Sequence, residues 1–129
     1  MTTIERDEEF DFAFMFNQMA NLVHFQNQKW WHDLYTGERL ERNVGELLCL
    51  VHSEISEAME GHRKNLMDDK LPDRGMFEVE LADAIIRILD IAGGFGLDLG
   101  GAIIEKLAYN RKREDHSAEH RKSENGKKY

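Results

Sequence analysis

Residues 76–92 read MFEVELADAIIRILDIA, and this stretch decides the fold because apolar residues surround almost the whole helix that it predicts. A helix that is apolar nearly all round belongs at the centre of a helical protein. Four polar residues interrupt it on one narrow stripe: Glu80, Asp83, Arg87 and Asp90. A buried, ionised carboxylate is costly unless a positive charge meets it. The stripe therefore predicts an internal cleft.

A second predicted helix, over residues 43–65, has its own pair of carboxylates. Glu54 and Glu57 lie three residues apart, a spacing that puts both on one helix face. Glu80 and Asp83 have the same spacing. Two such pairs facing each other would form a site for a hard divalent cation, which prefers oxygen ligands. A di-iron centre is the rival metal site, but its Glu-x-x-His pattern is absent from the sequence.

The ordinary alternative for paired acids is a solvated helix face. It is disfavoured for the pair in residues 76–92 because that helix is so apolar. For the other pair taken alone it is the favoured interpretation, although that pair lies at the edge of the apolar face, and the two pairs together favour a metal site. Asn43 is the predicted N-cap of the second helix, with Glu46 three residues later as its partner. The predicted core face of this helix comprises Val44, Leu47, Leu48, Val51, Ile55, Ala58 and Met59.

Two further helices complete the prediction of an all-α fold. Apolar spacing predicts an N-terminal helix over residues 9–28 and a fourth helix over residues 99–113, with Asp98 as its N-cap. Gly93-Gly94 predicts the end of the third helix, and irregular chain is expected beyond Asp115. Strand-type alternation is scarce, so we expect a four- to five-helix bundle.

Composition limits the classes of protein to which the chain can belong. Its 129 residues suit a single domain, predicted over residues 1–129 with a basic, irregular tail over residues 115–129. No apolar run reaches the ~18 residues of a membrane span, so no membrane partner is expected. The acidic start of the chain argues against a signal peptide, and the single cysteine, Cys49, fits a reducing cytosol. A cytoplasmic location is therefore expected.

The net charge of −8 is unevenly distributed. From Lys106 to Tyr129 there are eight Lys and Arg against four Asp and Glu, a net charge of +4, which leaves −12 for the rest of the chain. An acidic body is a poor binder of nucleic acid, so no nucleic-acid partner is expected. Lys106, Asn110 and Arg113 share a helix face and are candidates for holding anionic oxygens, although a solvated basic tail is the ordinary alternative.

Two adjacent tryptophans, Trp30 and Trp31, are further candidates for ligand contact. They could stack on a base or simply plug the bundle, and the sequence leaves both roles open. Metal ions, cations and hydrogen-bond donors together describe a polyphosphate site. The sequence has no glycine-rich phosphate loop after a strand, so metal ions and side chains would hold the phosphates.

In these features the sequence resembles the all-α nucleoside triphosphate pyrophosphohydrolases. This MazG-like superfamily includes dimeric dUTPases, dCTP pyrophosphatases and phosphoribosyl-ATP pyrophosphohydrolase. Glu-x-x-Glu followed, after a gap of roughly twenty residues, by Glu-x-x-Asp is that family's metal motif. The resemblance extends over residues 28–128. Its strongest parts are SEISEAMEGHR (53–63), ELADAIIRILDIAG (80–93) and EKLAYNRKR (105–113).

The resemblance implies roles for ten residues. The metal-binding and catalytic residues, holding Mg²⁺ with Mn²⁺ as a substitute, would be Glu54, Glu57, Glu80 and Asp83. The substrate-binding residues would be Lys106, Asn110, Arg113, Trp30, Trp31 and Lys127. The charge split between the acidic body and the basic tail further predicts that Lys127-Lys128 folds over the nucleotide. Ser53 stands where many members of the family have glutamate, which leaves Glu57 or a metal-bound hydroxide as the base.

The implied activity is Mg²⁺-dependent hydrolysis of a nucleoside triphosphate to a monophosphate and diphosphate, in control of nucleotide pools. A purine deoxynucleotide such as dGTP is the expected substrate, and a homo-oligomer, dimer or tetramer, is the expected assembly. Phosphoribosyl-ATP pyrophosphohydrolase is an alternative within the fold, disfavoured by the tryptophan pair and the long N-terminal helix. A non-catalytic helical oligomer that binds nucleotide or metal as a sensor is the alternative from another class.

Overall fold

The computed structural model describes residues 6–113 and 118–127, and within these ranges the chain is helical with no strand, which confirms the all-α prediction. A 3₁₀ turn over Gln28–Trp30 and two isolated β-bridges, His32 with Arg39 and Met67 with Gly75, lie between the helices. The α-helices of the described residues are α1 Arg6–Gln26, α2 Val44–Lys64, α3 Met76–Phe95, α4 Leu99–Lys112 and α5 Ala118–Lys122. Within these described ranges, none is long and apolar enough to cross a membrane.

The chain divides into two compact units. The α2–α3 unit, Gln18–Leu97, contains the second part of α1 together with α2 and α3, and those two helices pack against each other along their length. The terminal unit contains the first part of α1, up to Asn17, and the chain from Asp98 onward, with α4 and α5. Both acidic pairs therefore lie in the α2–α3 unit.

Side-chain caps fix the starts of two helices as the sequence predicted. The Asn43 side chain accepts a hydrogen bond from the backbone N–H of Glu46 at 2.9 Å and begins α2. In the terminal unit, the Asp98 carboxylate accepts one from the backbone N–H of Gly101 at 2.9 Å and begins α4. Capping uses only neighbouring residues, so local sequence is enough to predict it.

The predicted end of α3 at Gly93-Gly94 is wrong, because the helix continues to Phe95 and ends at Gly96, whose φ of 64° is left-handed. The two earlier glycines serve close packing instead. A Cβ at Gly93 would lie 2.6 Å from the Ala20 carbonyl oxygen, and a Cβ at Gly94 would lie 2.5 Å from the Trp31 ring. A helix-interior glycine is tolerated where a neighbouring element needs that space.

The expectation of irregular chain beyond Asp115 is wrong for Ala118–Lys122, which forms the short helix α5. Its residues include Ala, Glu, Arg and Lys, which have high helix propensity. The prediction of irregular chain followed the net basic charge of the tail and overlooked this propensity. After α5 the Arg121 Nε donates a hydrogen bond to the backbone carbonyl of Lys127 at 3.2 Å. Lys128, the other residue expected to fold over a nucleotide, lies outside the described residues.

The buried surface of α2 is narrower than its apolar stripe. Of the seven residues predicted as its core face, Leu47 and Ala58 are buried, whereas four others are between 45% and 57% exposed. The exposed four are Val44, Leu48, Ile55 and Met59. The apolar stripe takes up more of the surface of α2 than α3 can bury. The side of α2 that α3 covers includes Glu54.

Candidate metal centre and its cavity

Three of the four predicted metal ligands converge between α2 and α3. Glu54, Glu57 and Glu80 each place one carboxylate oxygen within 4.8 Å of the other two. Glu54 and Glu80 are each only 8% exposed, whereas Glu57 is exposed to solvent. The three-residue spacing sets the two α2 acids on one side, and the packing of α3 brings Glu80 against them. This cluster can hold a metal ion through carboxylate oxygens.

Asp83, the fourth predicted ligand, lies one turn beyond Glu80 on α3 and is not part of the three-oxygen cluster. It is nevertheless close enough for its negative charge to raise the pKa of Glu80, after the larger effects of burial and of Glu54 and Glu57. Its side chain lines the same cavity as Glu54. Direct metal binding by Asp83 stays a prediction.

Glu80 is the acid that its surroundings perturb most. Its Oε2 atom is buried, and no hydrogen-bond partner for it exists in the described parts of the chain. Burial, close contacts with the Glu54 and Glu57 carboxylates, and the negative charges of Glu57 and Asp83 raise the pKa of Glu80 to about 8. A divalent cation at Oε2 would supply both the missing partner and the missing positive charge. The donor set therefore fits a hard metal ion.

Arg87 brings positive charge to this cluster. Its Nε donates a hydrogen bond to Glu54 Oε1 at 2.8 Å, and its side chain is 41% exposed. Burial alone would raise the pKa of Glu54, but the hydrogen bond and charge of Arg87, with contacts from Glu80 and Glu57, hold that pKa below its ordinary value. The pKa values of the two acids are therefore shifted in opposite directions, downward for Glu54 and upward for Glu80.

Sequence reasoning placed Arg87 on the polar stripe of α3 but gave it no function. The spacing of Glu80, Asp83 and Arg87, three and then four residues, already puts them on one helix face. That spacing is the signal that pointed to Arg87. What the sequence could not supply is the partner on α2, because the choice of Glu54 depends on how the two helices pack.

A cavity of about 640 Å³ lies in the α2–α3 unit, with Glu54 and Asp83 in its wall. This volume is in the range of pockets that bind small organic ligands. Its wall combines side chains of the two helices, Glu54, Asp83 and Arg87, with side chains of the chain between α1 and α2, Asn27, Trp30 and Arg42. The cavity thus offers acidic, basic and aromatic groups to one ligand.

The two adjacent tryptophans have different environments. Trp31 is 1% exposed, its Nε1 donates to both carboxylate oxygens of Asp90 at 3.1 and 3.0 Å, and its ring meets the edges of His24 and Phe95. Of the two roles left open by the sequence, Trp31 therefore has the packing role in this structure. Trp30 is 62% exposed and lines the cavity, so base stacking by Trp30 stays a prediction.

The other predicted substrate contacts lie in the terminal unit. Lys106 Nζ is 4.8 Å from the centre of the Tyr109 ring and the Arg113 guanidinium is 5.9 Å from it, so both basic residues contact the same ring. The Oδ1 atom of Asn110 is buried without a hydrogen-bond partner among the residues the structure describes. Contact of these three residues with a substrate stays a prediction.

No family model, no curated protein and no solved structure matches the chain. The MazG-like relationship therefore rests on the three sequence motifs and stays a prediction. The structure itself establishes the all-α fold and the carboxylate cluster, so an activity has to be argued from the chemistry of those residues.

The raised pKa of Glu80 predicts that the metal-free protein loses stability as the pH rises. An acid whose pKa is higher in the folded chain stabilises the fold fully below its unfolded value, here 4.5, and this contribution is lost as the pH rises through about 8. Glu54, whose pKa is lowered, acts in the opposite direction, but only below 4.5. We expect the melting temperature in EDTA to fall between about pH 5 and pH 8.5.

Calorimetry across this pH range measures the effect, and Glu80→Gln should flatten the fall because glutamine does not titrate. Glu78→Gln is the matched control, since the Glu78 side chain on the same helix is 64% exposed. An equal pH slope in wild type and Glu80→Gln would contradict the assignment of the titration to Glu80.

Proposed function

We propose that the protein is a Mg²⁺-dependent nucleoside triphosphate pyrophosphohydrolase of the MazG-like type, with Mn²⁺ as a substitute ion. The observation that carries the proposal is the buried Glu80 carboxylate, clustered with Glu54 and Glu57 beside a cavity of ligand size. Its Oε2 has no hydrogen-bond partner among the residues that the structure describes. Hard divalent cations prefer such oxygen ligands. When bound, the ion supplies charge neutralisation for phosphate oxygens and makes a bound water more acidic.

The residues of the chain then have separate tasks. Glu54 and Glu80 hold the cation from the buried side, and Arg87 donates a hydrogen bond to Glu54. Glu57 is the exposed member of the cluster, so it is the carboxylate placed to accept a proton from an attacking water. The exposed ring of Trp30 stacks on the base. The proposed substrate is a purine deoxynucleotide such as dGTP in a cytosolic nucleotide pool.

Product identity tests this proposal directly. Incubation with a panel of deoxynucleoside triphosphates and Mg²⁺ is expected to yield a nucleoside monophosphate and diphosphate in equal amounts, because the family cleaves between the α- and β-phosphates. Anion-exchange chromatography separates the products. The appearance of a nucleoside diphosphate and orthophosphate would contradict the proposal even if hydrolysis depended on metal. Phosphoribosyl-ATP in the same panel tests the alternative substrate.

One observation favours the second candidate, a non-catalytic sensor of nucleotide or metal. Ser53, where a glutamate is usual in the family, donates its hydroxyl to the Leu50 carbonyl at 2.6 Å and offers no carboxylate to the site. A sensor would bind Mn²⁺ and nucleotide in calorimetric titrations without releasing diphosphate. Turnover of any nucleotide in the panel excludes it.

We also propose that the chain assembles as a homo-oligomer, a dimer or tetramer. The apolar stripe left exposed on α2 supports this, and so does Ile85 on α3, which is 52% exposed. Contiguous apolar surface of this kind marks interaction sites in folded proteins. A second copy of the chain has the same stripe to bury, so a symmetric contact covers both at once.

A further inference from the structure

Arg87 has more hydrogen-bonding capacity than its contact with Glu54 uses. A guanidinium group has five N–H donors, and the Nε–H alone is taken by Glu54 Oε1 at 2.8 Å. Among the described residues, no hydrogen bond from the two terminal amino groups of Arg87 is present. The side chain is 41% exposed and lines the cavity. The terminal amino groups are therefore available to a ligand.

We propose that the terminal amino groups of Arg87 form a binding subsite for phosphoryl oxygens of a polyphosphate. The subsite deepens the proposed function and rests on it, because the anion would arrive together with the divalent cation held by the carboxylates. A guanidinium fork matches two phosphate oxygens at once, and such charge-assisted hydrogen bonds are among the strong ones. Arg87 would therefore have two contacts, Nε with Glu54 and the amino groups with phosphate.

The position of Arg87 supports this assignment. It lies seven residues beyond Glu80 on α3, a rise of about 10.5 Å, but its Nε is 2.8 Å from Glu54 Oε1. The Glu54 carboxylate belongs to the same cluster as Glu80. A polyphosphate chain that touches a cation at Glu80 is thus close to the guanidinium as well. Negative charge from Glu54 and Asp83 in the cavity wall would repel an anion there, so the cation and Arg87 must both offset it.

The other arginine of the cavity wall is already committed. Arg42 Nη1 donates a hydrogen bond to the Trp30 carbonyl at 2.7 Å, and its guanidinium lies 5.4 Å from the centre of the Trp31 ring. These contacts hold the chain that follows α1. Among the described residues, one terminal amino group of Arg42 is therefore taken, whereas both terminal amino groups of Arg87 are left for an anion.

Removal of the Arg87 charge should change cation and anion binding in opposite directions. A divalent cation at the carboxylates is repelled by the guanidinium, so Arg87→Gln should bind Mn²⁺ as tightly as wild type or more tightly. A polyphosphate loses a charged donor, so its Kd should rise about tenfold. If Arg87 only held α2 against α3, its replacement would not affect Mn²⁺ affinity and polyphosphate affinity differently.

The experiment is isothermal titration of the full chain, first with Mn²⁺ alone and then with inorganic tripolyphosphate at saturating Mn²⁺. Diphosphate and dGTP are titrated in the same way, which separates recognition of a phosphate chain from recognition of a base. Arg74→Gln is the matched control, because Arg74, just before α3, is 61% exposed and pairs with Glu78 on the surface of that helix. We expect tripolyphosphate binding to weaken for Arg87→Gln and to remain unchanged for the control.

Several outcomes would overturn the subsite. Unchanged tripolyphosphate affinity in Arg87→Gln would overturn the subsite but not the proposed function. Equal weakening of Mn²⁺ binding and tripolyphosphate binding would do the same, because it would show that Arg87 only holds α2 against α3. Failure of the wild type to bind Mn²⁺ would overturn the proposed function and the subsite together. If circular dichroism shows that Arg87→Gln does not fold, Arg87→Lys decides, because lysine keeps the charge but lacks the fork. Its tripolyphosphate affinity should fall about threefold or more, and an unchanged value overturns the subsite.

Discussion

Replacement of Glu80 by glutamine is expected to lower nucleoside triphosphate hydrolysis by about 10³-fold or more, which corresponds to about 4 kcal/mol of lost transition-state stabilisation. Glu80 contributes the buried oxygen that lacks a partner within the described part of the chain, and glutamine has its shape without its charge. We expect Mn²⁺ affinity to fall about 100-fold in calorimetric titration. Asp83→Asn should also lose activity, and wild-type turnover of that variant would contradict its role as a ligand.

The same Glu80→Gln change should stabilise the protein when no metal is present. At pH 7 or above, folding of the wild type has to keep Glu80 protonated above its ordinary pKa, or else bury its charge beside Glu57 and Asp83, and glutamine removes both costs. The melting temperature in EDTA should therefore rise while the stabilisation by added Mn²⁺ disappears. Glu78→Gln should change neither, because a surface pair such as Arg74 with Glu78 contributes little. A lower melting temperature for Glu80→Gln would mean that Glu80 has a structural role instead.

The parts of the fold that depend on neighbouring residues were predictable. Asn43 and Asp98 cap their helices through backbone groups three residues away, and the pairing of Glu54 with Glu57 follows from helical periodicity. The convergence of the α2 acids with Glu80 was also predictable in outline, because the polar stripe of so apolar a helix has to face a cleft.

The parts that depend on distant residues were not predictable from one sequence. Gly94 on its own predicts the end of a helix. In the structure it lies inside α3, where the Trp31 ring occupies the space that a Cβ would need. The different environments of Trp30 and Trp31 likewise depend on Asp90, which accepts a hydrogen bond from the Trp31 N–H and lies fifty-nine residues after Trp31. The ion pair of Arg87 with Glu54 needs the register of α2 against α3.

Placement of a charge on the exposed apolar stripe of α2 is expected to prevent self-association. Leu48 is 49% exposed and lies in line with Val44, Ile55 and Met59, the other exposed members of the stripe. In an oligomer that buries this stripe, Leu48→Glu both loses apolar burial of about 1.5–3 kcal/mol and places an unpaired carboxylate in the contact. We expect the dissociation constant of the oligomer to rise about 100-fold or more.

Sedimentation equilibrium over a range of protein concentrations measures this constant. Cys49→Glu is the control, because Cys49 is exposed on the same helix but lies about 100° around it from Leu48. The control adds the same charge and should associate like wild type. A wild-type chain that sediments as a monomer at all concentrations would contradict the homo-oligomer. Equal association of Leu48→Glu and wild type would place the contact elsewhere, and Ile85 on α3 would then be the next position to charge.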